Sequence, residues 1–387
     1  MTPAEALDAA RGLVPAFAKR AAAHDRDGTF SVDDVADLAA AGLLALMTPA
    51  RLGGVGASFA QYAEVAMVLA EGSAATALVF NMHASVTGAL ALTPDDAAAA
   101  LGVPPTFFAM RDRVLRATVE DGAFYAVAMS ERGVGSRLSQ LRTSYVPVAG
   151  GWRIAGSKAF CSGAGHADGY LVAARNGERV SHFLVPAGPG VTVEETWDAL
   201  GMRATASNDL HLDVVVPADA LVGGVEGLAL PLASAMPQWL VASYAAVYAG
   251  LAQAALDAAA THANDHGLAR LPLVRARLGR ADAAVAAARA QVRAAARCVD
   301  EEPGTPATSR EIWRAKLVAG DTAASVAASV LEACGTGATR RGHPLERLFR
   351  DARCGALQPA TSDVCADWLG LAALGVDPDR AAEIPRW

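Results

Sequence analysis

The chain has no run of lysine or arginine, no paired cysteines and no low-complexity tract. Each absence removes a class of function. With 33 Lys+Arg against 40 Asp+Glu, a net charge of -7 and both signs interspersed, no basic stripe is available to neutralise a phosphate backbone, which argues against nucleic-acid binding. The five cysteines (Cys161, Cys298, Cys334, Cys354, Cys365) show neither C-x-x-C pairing nor Cys/His ligand spacing. They read as small hydrophobic residues of a cytoplasmic protein, not as disulfides or a metal site. The opening "MTPAEALDAARGLVPAFAKR" is an amphipathic helix with scattered charge and no signal-peptide core. The glycines of "GGVGASF" are not followed by the Lys-Ser/Thr of a phosphate loop and predict only a turn.

Charge is also absent from residues 227–256, "GLALPLASAMPQWLVASYAAVYAGLAQAAL", longer than the ~20 residues that span a bilayer. Pro231, Pro237, Gln238, Ser243 and Gln253 interrupt the stretch, alanine dominates it, and no Lys/Arg cluster flanks it. A helix buried on all sides in a bundle has this hydropathy, so no membrane span is expected.

What is present, in 387 residues that are 53% hydrophobic and 19% charged, divides by period. Residues 1–120 read as an N-terminal helical domain, with Ser31 (Asp34 three residues on) and Ser58 as helix N-caps. Over 121–225 the period falls to two. "FYAVAM", "TSYVPV", "WRIAG", "GYLVAA", "HFLVP", "VTVEE" and "DLHLDVVV" predict seven short strands without intervening helices, hence an antiparallel barrel or sandwich, with a hairpin at Gly150-Gly151. Residues 226–387 return to helical spacing, with segments near 230–265, 271–300, 309–334, 344–354 and 361–374. The fold class is α+β.

Four motifs then occur in order: "AMSERGVGSRLSQLRT" (128–143), "GSKAFCSGAGHAD" (156–168), "ALGMRATASNDLHLDVVVPADALVG" (199–223) and "HPLERLFRDAR" (343–353). With this domain order and length, the chain resembles the acyl-CoA dehydrogenase family of flavoproteins over nearly its whole length. The resemblance implies an N-terminal helical domain, a middle β domain and a C-terminal four-helix bundle. It implies FAD as cofactor, with Met129 and Ser130 at the edge of the flavin ring and Phe160 and Ser162 over one face and the reactive rim. Ser136 would lie by the pyrophosphate part of a thioester ligand or the cofactor, and Thr361 on the flavin side of the C-terminal junction. A homodimer or homotetramer is expected, and a substrate pocket walled by Phe80, Met82, Trp239 and Tyr244.

The family's catalytic glutamate has no counterpart. Abstracting a weakly acidic α-proton needs a placed carboxylate. The two positions that supply it in the family correspond here to Pro359, in "QPATSD", and Gln238, in "MPQWL". Remaining candidates for proton transfer are His83, on an apolar segment that suits a satisfied core histidine, and His166, after the second motif. The cofactor anchors differ too. Where the family has an arginine for the FAD pyrophosphate this chain reads "NDHGLARLPL", leaving Arg270, or Arg340 and Arg341, to substitute. FMN or a diffusible reduced flavin therefore becomes an alternative to FAD. His343, Glu346, Arg347, Arg350 and Asp351 are expected to form an ion-pair network at a helix or subunit contact.

Three functions share this fold. The first is a flavin-dependent oxidoreductase acting on an acyl thioester or related substrate with an unidentified base. The second is a monooxygenase that takes reduced flavin from a separate reductase, activates oxygen at the flavin C4a and needs no carboxylate. The third is a non-catalytic subunit that pairs with an active homologue.

Overall fold

Helix starts are fixed by local chemistry. The computed structural model describes residues 1–93, 95, 98 and 102–378, and its first helix, α1 (Pro3–Asp27), begins with a capping box in which Thr2 and Glu5 bond each other's backbone N–H. After α2 (Val32–Ala40), Ser58 and Gln61 repeat the arrangement at the start of α3 (Phe59–Gly72). Ser31 does not cap α2, and its hydroxyl is buried without a partner. Asp34 has turned away instead, accepting from Arg20 Nε at 2.6 Å and Thr76 Oγ1 at 2.5 Å. Tertiary pairing outweighs the local cap there. Two further helices, α4 (Ala74–Ala91) and α5 (Pro105–Glu120), complete the N-terminal set.

Seven strands follow, one for each sequence segment of period two: β1 (Tyr125–Ala128), β2 (Ser144–Val148), β3 (Gly151–Cys161), β4 (Gly169–Asn176), β5 (Arg179–Pro186), β6 (Val191–Glu194) and β7 (Asn208–Pro217). They form one curled sheet in the order β1-β4-β2-β3-β7-β6, with β5 on β4. The sheet is mixed, which corrects the wholly antiparallel expectation: β1 runs parallel to β4, Tyr125 opposite Gly169. The β2–β3 hairpin lies between them in sequence and returns the chain to the same end, the long connection that a parallel pair requires. The hairpin loop itself is Ala149-Gly150, one residue earlier than the glycine pair suggested. Gly151 is in the strand, where a Cβ would stand 1.9 Å from the carbonyl oxygen of Val216 on β7.

The C-terminal region holds α6 (Ala229–Ala235), three long helices α7 (Ala242–Asp265), α8 (Pro272–Glu301) and α9 (Pro306–Cys334), and the shorter α10 (Pro344–Arg353) and α11 (Ser362–Ala373). The long helices pack on one another, α3 covers α7 and α8, and α10 and α11 close on α9. Three helical segments, Ala74–Ala91, Pro237–Asp265 and Pro306–Cys334, are long and apolar enough to cross a membrane. The first two are largely buried inside the protein, so their hydropathy is that of core helices. One apolar core runs through all three regions, from Phe17 and Tyr62 through Phe183 to Tyr248 and Trp368.

The charged C-terminal motif knits the regions together within the chain. Arg350 on α10 donates to both carboxylate oxygens of Asp25 on α1 (2.9 and 2.5 Å), to Glu346, and to the carbonyl of Leu200. Asp351 accepts the backbone N–H of Met202 at 2.6 Å. The expected ion-pair network exists for Glu346, Arg347, Arg350 and Asp351, as a contact among α1, the β6–β7 loop and α10, whereas His343 lies outside it, against His262 and the Leu345 N–H.

Candidate active site

The first two motifs are joined by a buried ion pair. Lys158 on β3 donates from Nζ to Glu131 at 2.8 Å and to the carbonyl of Met129 at 3.2 Å, and both side chains are shut from solvent. Glu131 also accepts the backbone N–H groups of Arg142 (2.7 Å) and Thr143 (3.0 Å). Burial acts to raise the Glu131 carboxyl, but the Lys158 charge and these hydrogen bonds outweigh it and hold it below its ordinary value. Burial lowers Lys158 in turn, against the attraction of Glu131. Alongside the pair, Ala159 N–H donates to the carbonyl of Ser130 at 2.9 Å. Met129 and Ser130 are thereby set in register with the segment that carries Phe160 and Ser162.

Phe160 lies at a break in the β3–β7 ladder between Lys158 and Cys161. Its φ is 59°, a left-handed conformation that costs a non-glycine residue of order 1–3 kcal/mol. Its ring is nonetheless 58% exposed, edge-on to Trp197 at 6.3 Å. A strained backbone that presents a bare aromatic face fits a flat ring bound against it. Ser162, buried just past the end of β3, starts a hydroxyl chain: Ser162 to Ser207 at 2.8 Å, Ser207 to Thr205 at 2.6 Å, and Thr205 to the carbonyl of Met202 at 2.9 Å. That carbonyl also accepts from Trp197 Nε1 at 3.0 Å, while Met202 N–H is held by Asp351. The second, third and fourth motifs thus converge on one platform. Trp197, Thr205 and Ser207 were not singled out from the sequence; the first lies outside every motif and the other two read as loop polarity.

Beside this platform an apolar cavity opens between the sheet and the helices, lined from α4 and the residues after it by Met82, Ser85, Leu90 and Thr93, from the sheet and the end of β1 by Val127, Met129, Leu171 and His182, and beyond by Trp239 and Tyr244. No Asp or Glu is among the described residues that line it. Burial pushes the Tyr244 phenol up to about 12. Trp239 is tightly placed: Ser85 and Ser243 both donate to its carbonyl at 3.1 Å, and its ring lies where a Cβ on Gly88 would come within 2.2 Å.

Of the expected pocket residues, Met82, Trp239 and Tyr244 line the cavity and Phe80 does not. Phe80 is fully buried and packs against Tyr62 and His83, on the side of α4 that faces the core. His83 bonds two backbone groups, the carbonyl of Leu44 through Nε2 at 2.6 Å and the N–H of Tyr125 through Nδ1 at 3.1 Å. Burial lowers its pKa to about 4, so it is a neutral strut between α4 and β1. His166 stacks on Phe30 at 4.1 Å. Ser136 is exposed on the turn closed by Glu131 and Gly135. Thr361 caps α11 by accepting from Val364 N–H at 3.3 Å. Gln238 is buried and Pro359 half-buried, and neither lines the cavity. Arg270 stands exposed on the turn between α7 and α8, a turn that packs on those two helices. It is not brought to Phe160 and Ser162 within the chain.

Fold and site together are those of a flavin-binding oxidoreductase. Comparison with known proteins gives the family. The acyl-CoA dehydrogenase N-terminal domain matches residues 4–97, the middle domain 126–215 and the C-terminal domain 240–367. The chain belongs to the acyl-CoA dehydrogenase family. It is 34% identical to L-evernosamine nitrososynthase of Micromonospora sp., over 98% of this chain and 93% of that protein. It is 31% identical to the putative acyl-CoA dehydrogenase YdbM of Bacillus subtilis, over 90% and 91%. In structure it is similar to the FMN-bound dibenzothiophene monooxygenase TdsC of Paenibacillus sp. A11-2, with a TM-score of 0.84, 27% identity, and 96% and 97% of the two chains covered.

Proposed function

We propose that this protein is a monooxygenase that uses reduced flavin to oxygenate a small, largely apolar molecule. The observation that carries the reading is the cavity at Met129: it is walled by apolar side chains and carries no carboxylate among its described lining. A dehydrogenation that begins with loss of an α-proton has no base to receive it there. The similarity to a nitrososynthase and to a dibenzothiophene monooxygenase supports the same choice.

The residues fit a flavin ring better than they fit a whole FAD. Phe160 offers a face, Ser162 and the backbone at Met129-Ser130 offer a polar rim, and Arg270, the expected clamp for a pyrophosphate, stands away on the turn between α7 and α8. FMN, or FAD held loosely and exchanged with a reductase, is the cofactor we favour. When bound, the reduced flavin supplies the electrons that place one oxygen atom of O2 on the substrate and release the other as water. The chain's own part is positioning and exclusion of water. Lys158 and Glu131 fix the Met129-Ser130 rim, the hydroxyl chain fixes Ser162, and Trp239 with Leu90, Val127 and Leu171 keeps the substrate end dry. A homodimer or homotetramer would bring a second copy to the cofactor, as in the family.

The test is oxygen uptake with product formation, measured with FMN, NADH and a flavin reductase over a panel of aromatic and amine substrates. Turnover only when the reductase is present is expected. Anaerobic bleaching of a tightly bound FAD by acyl thioesters would overturn the proposal in favour of a dehydrogenase.

A further inference from the structure

On two residues that line the cavity, one buried side-chain atom each has no partner among the described residues, His182 Nε2 and Trp239 Nε1. The residues are only 9% and 4% exposed. Buried polar atoms are nearly always bonded, so two left unpaired in the wall of one cavity call for a ligand. The other polar groups of the lining are already committed. Ser85 donates to the carbonyls of Asn81 and Trp239, Thr93 to the carbonyl of Ala89, and the Tyr244 hydroxyl reaches Met82 Sδ at 3.9 Å.

His182 is held in place by its strand. Its backbone pairs with Ala173 on β4, and its carbonyl accepts the N–H of Val222 at 2.9 Å. Its neighbour Ser181 bonds Tyr145 and Gly227, away from the cavity. Burial, with the Lys158 charge behind it, lowers the imidazole pKa to about 4, which leaves a neutral ring with one donor and one acceptor. An indole N–H can only donate. With no carboxylate in the described lining, a cationic ligand would find no counter-charge.

We infer that His182 and Trp239 are the polar anchors of this cavity, His182 accepting a hydrogen bond from a hydroxyl or unprotonated amine of a neutral, mainly apolar substrate, and Trp239 donating to an acceptor on the same molecule. The inference rests on the cavity being the substrate site and narrows its substrate class. It also suits oxygenation, because an amine attacks through a lone pair that protonation removes.

The test is binding without turnover, by calorimetry on the purified protein under nitrogen without reductant. Three probes of one shape separate the groups: 2-naphthol (donor and acceptor), 2-methoxynaphthalene (acceptor) and naphthalene (neither). His182→Leu is expected to weaken 2-naphthol about tenfold and leave naphthalene within twofold, with His182→Gln recovering part of the loss. Trp239→Phe is expected to weaken both oxygen-bearing probes and spare naphthalene. Equal changes for all three probes in His182→Leu, no change for any, or no binding of any probe to the unaltered protein would overturn the inference. The expected pattern without reductase-dependent oxygen uptake would keep the anchors and overturn the monooxygenase.

Discussion

Lys158 and Glu131 make the sharpest test of how the flavin rim is built. Lys158→Met removes the charge that, among the described residues, pairs with a carboxylate shut from solvent, and leaves it the N–H groups of Arg142 and Thr143. Breaking a buried pair from one side costs about 3–5 kcal/mol, because an uncompensated charge stays behind. That is a large share of the ~5–15 kcal/mol by which domains are stable. Glu131→Gln, with Lys158 present, keeps an oxygen for one of the two N–H groups and leaves a lysine that can shed its proton, so its loss should be smaller. The double variant Lys158→Met/Glu131→Gln removes both charges, and it should be more stable than Lys158→Met alone by about 2 kcal/mol or more, again because the stranded charge is gone. Urea unfolding of the four proteins measures this cycle. Flavin affinity measured alongside should fall in the two variants that lack Lys158, since Lys158 also bonds the carbonyl of Met129. Strictly additive effects, or Lys158→Met unfolding at the parent midpoint, would refute the reasoning.

Lys316 is buried on α9 and donates to the carbonyl of Gly355 at 2.7 Å, and burial lowers its pKa from 10.5 to about 8. Between those values the unfolded chain holds one proton more than the folded one, so stability should rise with pH across that window, by on the order of 3 kcal/mol; in Lys316→Met this rise should vanish from unfolding curves taken at pH 8 and 10.5. Gly88→Ala would drive a methyl into the Trp239 ring, costing about 1–3 kcal/mol and altering the near-ultraviolet dichroism of the cavity tryptophan. His83→Ala should destabilise by about 1–3 kcal/mol for each of the two backbone groups it leaves unpaired, while the pH profile of turnover stays unchanged; a lost profile limb would make His83 catalytic after all.

How much of this was legible depends on whether a residue's partners are local. The strands were visible because their pattern is a property of the segment itself, whether a short apolar run as in β4 and β5 or alternation as in "DLHLDVVV", where every second residue from Leu210 to Val216 is buried. The β1–β4 pairing was not, since nothing in either segment states which way its neighbour runs. Phe80 was misplaced for a related reason. Almost every residue of α4 is buried, so the helix has no polar face from which to tell cavity side from core side. His182 was missed because β5 is covered on both sheet faces and reads as an unbroken core strand. The motifs marked Ser130, Phe160 and Ser162, but not the ion pair and hydroxyl chain that hold them, whose members are distant in sequence.

The two vacant base positions raise the question of whether a carboxylate could simply be restored. Gln238 and Pro359 both lie outside the cavity wall, whereas Trp239, the next residue, is part of it. Gln238→Glu would therefore create a carboxylate that is buried without an evident cation and titrates high. Its cost should show as a lower urea midpoint that recovers as pH falls and the group protonates. Pro359→Glu would add a half-exposed acid beside Gln358, whose amide oxygen already accepts from Tyr248 at 2.8 Å. Neither change gives the cavity a base, so neither variant should show anaerobic flavin bleaching with acyl thioesters. Bleaching by Gln238→Glu would mean that the substrate reaches past Trp239, and the proposed cavity would then be the wrong place for the chemistry.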